Sequence, residues 1–184
     1  MGDWTADAEG SLTTIATYTD DSCAGGFIMS VAYNQAGAGS SAWGTANLIG
    51  YYPFLCIAPF LVQRVFWGNG ATVSGNVDVG VYNTDGVLLL NAGSTAQATI
   101  NVAQSVALGT PYLLTPDLYY FGVAASSATA TFVGSGVGTP DFMQHFGMGQ
   151  QSAAPPLPAT WTFASASTST LIVPYAGVTN RTLI

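Results

Sequence analysis

Hydrophobic and polar positions alternate most regularly between Phe60 and Ala125, and the breaks in that alternation fall at turn-forming residues. Phe60 to Trp67 is rich in Val and aromatics, Gly68-Asn69-Gly70 reverses the chain, and Asn76 to Tyr82 sends Val77, Val79 and Val81 to one face with Asp78 on the solvent face. Asn83-Thr84-Asp85-Gly86 is a turn in which Gly86 is expected at positive φ. Val87 to Leu90 returns. From Ala98 onward Ile100, Val102 and Val106 alternate with Thr99, Asn101, Ala103 and Ser105, and Leu118 to Ala124 completes the set of strands.

The same reading extends to the flanks. Leu12 to Thr19 and Phe27 to Tyr33 are expected strands, and Gln35 to Ser41 is a Gly-rich linker. Trp43 to Leu55 carries an aromatic strand in which Pro53 calls for an edge or a strand end. Phe60 to Trp67 and Leu118 to Ala124 are apolar on both sides, so both faces are expected to be covered, and subunit contacts would do this. Thr129 to Val133 is a short strand and Gly134 to Gly138 a flexible connection. Asp141 to Gln150 forms a helical turn under an Asp cap with Phe142, Met143 and Phe146 inward. Ala153 to Pro158 must be extended, because proline disfavours helix there. Thr160 to Ala164 and Thr170 to Val173 are final strands, and Pro174 to Ile184 is a tail.

Composition changes the picture through charge. Only 6% of the 184 residues are charged, against about 25% in an ordinary domain. There is no Lys, and the cations are Arg64 and Arg181. A surface kept soluble by mixed charges is therefore not available, which points to partners covering part of it; Ser, Thr, Asn, Gln and Gly are the uncharged alternative. A net charge of −7 with two cations cannot neutralise a run of phosphates, so nucleic acid is excluded as a partner, and an anionic membrane surface with it. The most apolar stretch, Leu48 to Val62, is too short for a spanning helix and is broken by Pro53 and Pro59. The acidic start, Met1-Gly2-Asp3-Trp4, lacks the positive charge of a secretory signal. Cys23 and Cys56 are expected as buried thiols. Five of the nine acids fall in the first 21 residues, which sets residues 1–40 apart as an N-terminal arm or a first hairpin before a body at 41–184.

Reactive chemistry finds little to work with. A Ser/His/Asp triad has only His145 to draw on, among Met143, Phe146 and Met148, and no Gly-x-Ser-x-Gly elbow or P-loop is present. One His and two distant cysteines do not make a zinc site. Asp20, Asp21, Asp78 and Asp85 are hard oxygen donors without calcium-loop spacing, and Glu9 is the only glutamate for a glycosidase pair. No catalytic residue, metal or cofactor is therefore expected. The aromatics Trp43, Tyr51, Tyr52, Trp67, Tyr82, Tyr119 and Trp161 are candidates for stacking on sugar rings, with core or subunit interface as the competing reading.

Three segments carry a resemblance: Thr72 to Thr95 (TVSGNVDVGVYNTDGVLLLNAGST), Leu114 to Val123 (LLTPDLYYFGV), and Leu157 to Phe163 with Pro174 to Arg181 (LPATWTF, PYAGVTNR). They resemble a family of small tailed-phage virion structural proteins with a β-sandwich body. Pro116-Asp117 stands where such sandwiches usually have Pro-Gly, which alters the turn. The resemblance implies an all-β protein, an antiparallel β-sandwich of jelly-roll type with an N-terminal arm. The role expected with it is that of a non-enzymatic virion structural protein assembled in the host cytoplasm; the acidity fits an outer-surface position, and capsid decoration, fibre and tail component all stay open. The expected partners are copies of the chain, a trimer being favoured, and other virion proteins. A module binding host-surface glycan or a receptor is the alternative, and a glycan hydrolase the third reading.

Overall fold

The computed structural model describes residues 27–30, 39–136, 147–165 and 172–181, and the account below concerns these. They form strands without a helix. In chain order these are β1 (Phe27–Met29), β2 (Gly39–Ala42), β3 (Leu48–Cys56), β4 (Phe60–Gly68), β5 (Asn76–Tyr82), β6 (Leu88–Asn91), β7 (Thr95–Ala96), β8 (Ala103–Leu114), β9 (Asp117–Ala125), β10 (Thr131–Gly136), β11 (Gly149–Ser152), β12 (Ala164–Ser165), β13 (Ile172–Pro174) and β14 (Ala176–Thr179). All pairings are antiparallel. Three sheets result, with orders β1-β14-β4-β8, β13-β10-β2 and β12-β11-β3-β9-β5-β6, β7 lying beside β5.

One core joins them. Val62, Val65 and Trp67 of β4 and Val178 of β14 pack with Phe54 of β3, Val77, Val79 and Val81 of β5, and Phe121 and Val123 of β9. Trp43, Phe132, Ile172 and Val173 carry the same cluster into the three-stranded sheet. The alternation in β5 and β9 follows the expected period of two, so every second residue enters this core.

β4 departs from that period, and the departure explains its sequence. Its inward residues are Phe60, Val62, Val65 and Trp67, because the pairing with β8 is irregular between Val62 and Arg64. Only Gln63 stands between the pairs Val62↔Tyr112 and Arg64↔Ala107, whereas β8 has Leu108 to Pro111 in that interval. The irregularity moves the inward phase by one residue. A strand read with a strict period of two therefore looks apolar on both sides, while the real outer side holds the exposed Leu61 and the half-buried Arg64, together with buried Phe66.

The outer side of the seven-stranded sheet is covered, but by the chain itself. Between β11 and β12, residues 153–163 cross this face to the far edge of the sheet, where Leu88 N donates to Ala159 O at 2.9 Å and Trp161 N to Gly86 O at 2.9 Å. This strap, and not a neighbouring subunit, is what buries Ile49, Tyr51, Tyr82 and Ala124. Ala153 to Pro158 is free of helix but bends at Pro155 and Pro156 instead of running fully extended; its prolines offer no N–H to a sheet, which suits a crossing over the layer.

Other expectations are corrected. Residues 98–102 form a turn, with Asn101 at φ 56° donating its N–H to Gly70 O, so Ile100 and Val102 are exposed. Gly134 to Gly136 belong to β10 and are not a flexible connection: a Cβ on Gly134 would strike the backbone of Val173 and Pro174, so glycine serves close approach there. Gly149 and Gln150 lie in a strand, not a helical turn. The stretch read as a tail supplies β14, the strand between β1 and β4. Phe27–Met29 and Gly39–Ala42 are built into sheets, while residues 1–26 and 31–38, with Leu12 to Thr19 and Cys23, lie outside the described residues. Asp141 to Phe146 of the expected helical turn, including His145, lie outside them too. Pro53 sits where β3 continues beyond its last pair with β11, Tyr51↔Gly149, so its missing N–H leaves no gap in that ladder.

Candidate functional site: the strapped aromatic face

Of the aromatics singled out from the sequence, four are absorbed by the core. Trp43 is fully buried against Phe132, ring centroids 5.2 Å apart, and its Nε1 donates to Leu48 O at 3.0 Å. Trp67 donates Nε1–H to Asn69 Oδ1 at 2.9 Å. Tyr52 donates its hydroxyl to Ile172 O at 2.7 Å, and burial pushes its pKa far up. Tyr119 is buried beside Phe54 and donates to Thr115 O at 3.0 Å. None of these four rings presents a face to a ligand, because each closes the interior of this chain.

The remaining three, Tyr51, Tyr82 and Trp161, are brought together on the outer side of the seven-stranded sheet. Trp161 stacks on Tyr82 at 5.9 Å and 13°, and meets Tyr51 and Tyr120 edge-on at 5.2 and 4.7 Å. Phe163 lies 5.0 Å from Trp161 and is 41% exposed. Sequence reasoning passed over Tyr120 and Phe163 as members of this group. Tyr51 donates to Gln151 Oε1 at 2.8 Å, which also receives Thr162 N at 2.7 Å, so one amide side chain ties the start of the strap to its end. Tyr82 donates to Pro158 O at 2.7 Å. Burial raises both phenols, Tyr51 to about 12 with the neighbouring Tyr82 hydroxyl acting the other way, and Tyr82 further, helped by Tyr51 and by Asp78.

Leu157 is the peg of the strap. It lies over the register pair Gly80↔Gly122, its Cδ1 2.9 Å and 3.4 Å from where their Cβ atoms would stand. Two glycines side by side on central strands leave a hollow that a single aliphatic side chain fills.

Beside the peg is Asp78. It is on the outer side of β5 as expected, but fully buried under the strap instead of facing solvent. Its Oδ2 accepts from Leu157 N at 2.8 Å and from Asn91 Nδ2 at 2.7 Å, joining β5, β6 and the strap. Its Oδ1 has no hydrogen-bond partner of good geometry. Burial pushes the carboxyl above its ordinary value, with the Leu157 amide, the Asn91 side chain and the Gly93 and Ala92 amides acting against it. Among the described residues no cation offsets the charge: both Arg64 donors go to Ser105 Oγ, at 3.1 and 3.0 Å, and Arg181 is exposed just beyond β14.

The other donors weighed from the sequence are dispersed. Asp85 lies exposed in the turn before Gly86, Asp20 and Asp21 lie outside the described residues, and among those described no three His, Cys, Asp or Glu side chains come together. Cys56 is buried and its thiol donates to Ala58 O at 3.0 Å. Comparison with known proteins finds no matching family model, no matching curated protein and no matching solved structure.

Proposed function

We propose that this chain is a non-enzymatic structural subunit of a tailed-phage virion, a jelly-roll β-sandwich with an N-terminal arm that assembles as an oligomer, a trimer being favoured, on the outer surface of the particle. The observation that carries the assembly is an aliphatic end of the molecule. Leu55 pairs with Leu118 across β3 and β9, and Leu61 with Leu113 across β4 and β8; all four side chains are exposed, with Ile57 exposed between them. The two connections that bear them, β3 to β4 and β8 to β9, adjoin. Asp117, next to Leu118 in the chain, turns an oxygen back to Leu118 N at 2.8 Å. The two pairs stand on the outer sides of two different sheets at one end of the strands, and exposed aliphatic side chains of this kind serve protein contacts. Its burial drives association without ion pairs, as a chain with two cations requires.

The test is light scattering of the purified chain at low salt and at about 1 M salt, where screening removes charge-driven contacts. An oligomer at both is expected; a monomer at micromolar concentration sinks the assembly. The virion assignment rests on the sequence resemblance, and imaging of intact particles carrying a tag on this chain tests it directly. A glycan-binding role is the second reading, favoured by Trp161, Tyr120 and Phe163, which leave part of their rings exposed beside Gln151. A glycan array probed with the isolated protein, with Phe163→Ala as control, separates the two.

A further inference from the structure

The strap carries a charge problem that the other described residues do not solve. Asp78 is fully buried, one of its oxygens lacks a hydrogen-bond partner of good geometry, and the two arginines are engaged elsewhere or exposed. An ionised carboxyl in that position is stabilised by gaining a proton or by gaining water. Beside it in the same sheet lie the central strands β9 and β3 on one flank and β6 with Ala92 and Gly93 on the other; the strap, whose Leu157 amide rests on Oδ2, closes the outer face above it. Lifting Leu157 from the Gly80–Gly122 hollow would draw its amide off Oδ2 and open the outer face of Asp78 to water.

We propose that the strap is a pH-gated clasp, closed over the sheet while Asp78 holds a proton and loosened when Asp78 ionises, so that proton release uncovers the apolar face of Ile49, Tyr51, Tyr82 and Ala124. The groups that could confuse the titration are few. Tyr82 on the same strand and Tyr51 on β3 are held above their ordinary value and stay neutral through the window. Tyr120 is the phenol that β9 places on this face; β6 and the strap from Gly149 to Ser165 contribute no titratable side chain. The carboxyl binds its proton more tightly in the closed form than in the open one. Closure is therefore favoured at low pH, and opening rises as pH climbs above the ordinary carboxyl value of about 4, by up to tenfold per pH unit, levelling off past the raised pKa.

Amide hydrogen exchange of the full chain, corrected for the intrinsic rate, measures this from about pH 4 to about pH 8. Opening at the Leu157 and Trp161 amides is expected to increase and then level off, while the Val79 and Val123 amides of the central strands do not follow. The Asp78 carboxyl carbon, observed by NMR in the same samples, should titrate with the midpoint of that curve. Asp78→Asn should make strap opening independent of pH. Opening that is flat with pH in the native chain, or a midpoint that Asp78 does not share, overturns the proposal. If Asp78→Asn fails to fold, agreement or disagreement of the two midpoints in the native chain decides alone.

Discussion

At Gly86 two constraints meet: a φ of 78°, and the Trp161 indole lying where a Cβ would stand. The first was legible, since Asn83 to Gly86 is a turn sequence, and Gly86 N does donate to Asn83 O at 3.0 Å. The second was not, because it depends on a residue 75 positions away in sequence. Gly86→Val should therefore cost more than the ~1–2 kcal/mol of left-handed strain alone, and should shift tryptophan fluorescence as well as the melting curve. An unchanged melt would place the turn elsewhere. Asn69 is a second such residue, fully buried, accepting from Trp67 and donating to Thr99 O at 3.1 Å and Gln104 Oε1 at 2.8 Å. Asn69→Leu leaves the Trp67 N–H without its acceptor, and a loss of about 1–3 kcal/mol in denaturant unfolding is expected. Trp67 itself was a candidate for ligand contact, because an aromatic that closes a core and one that stacks on a sugar share one letter; the partner that decides between them is remote.

Elements were legible where one strand obeys one period. Asn76 to Tyr82 is a strand to the residue, and β9 extends the expected Leu118 to Ala124 by one position at each end. Legibility failed where pairing is irregular or where covering comes from a distance. In β4 the shift at Gln63 hid which residues face inward. On β5 and β9 the glycines that receive Leu157 signalled a close approach without saying from what, and the prolines around Leu157 marked an extended segment without saying where it lay. The strap makes a prediction of its own. Leu157→Ala empties the hollow over Gly80 and Gly122, so a loss of about 2–4 kcal/mol is expected. Thermal melting checks this; a variant as stable as the parent would mean that Leu157 does not anchor the strap.

For the whole molecule, all-β architecture with antiparallel sheets was legible from turns and alternation, whereas the order of strands was not, since long-range pairing leaves little local trace. The aliphatic end gives the test of assembly at this scale. Leu118 is exposed, so Leu118→Asp should leave the unfolding free energy within about 0.5 kcal/mol of the parent while lowering the mass seen by light scattering. An unchanged mass would move the contact surface elsewhere. Truncation discriminates too: removing residues 1–40 takes away β1 and part of β2 and should destabilise the fold, because β1 pairs with β14 and β2 with β10. The position of β14 bears on how the protein is made. A ribosome adds residues at about 5–20 per second from the N-terminus, and Ala176–Thr179 emerges after both strands it must separate. Until then β1 has no neighbour and β4 shows one bare edge, so a nascent chain holds an unfinished sheet until Ala176–Thr179 has emerged, and that edge is open to pairing with other chains in the interval.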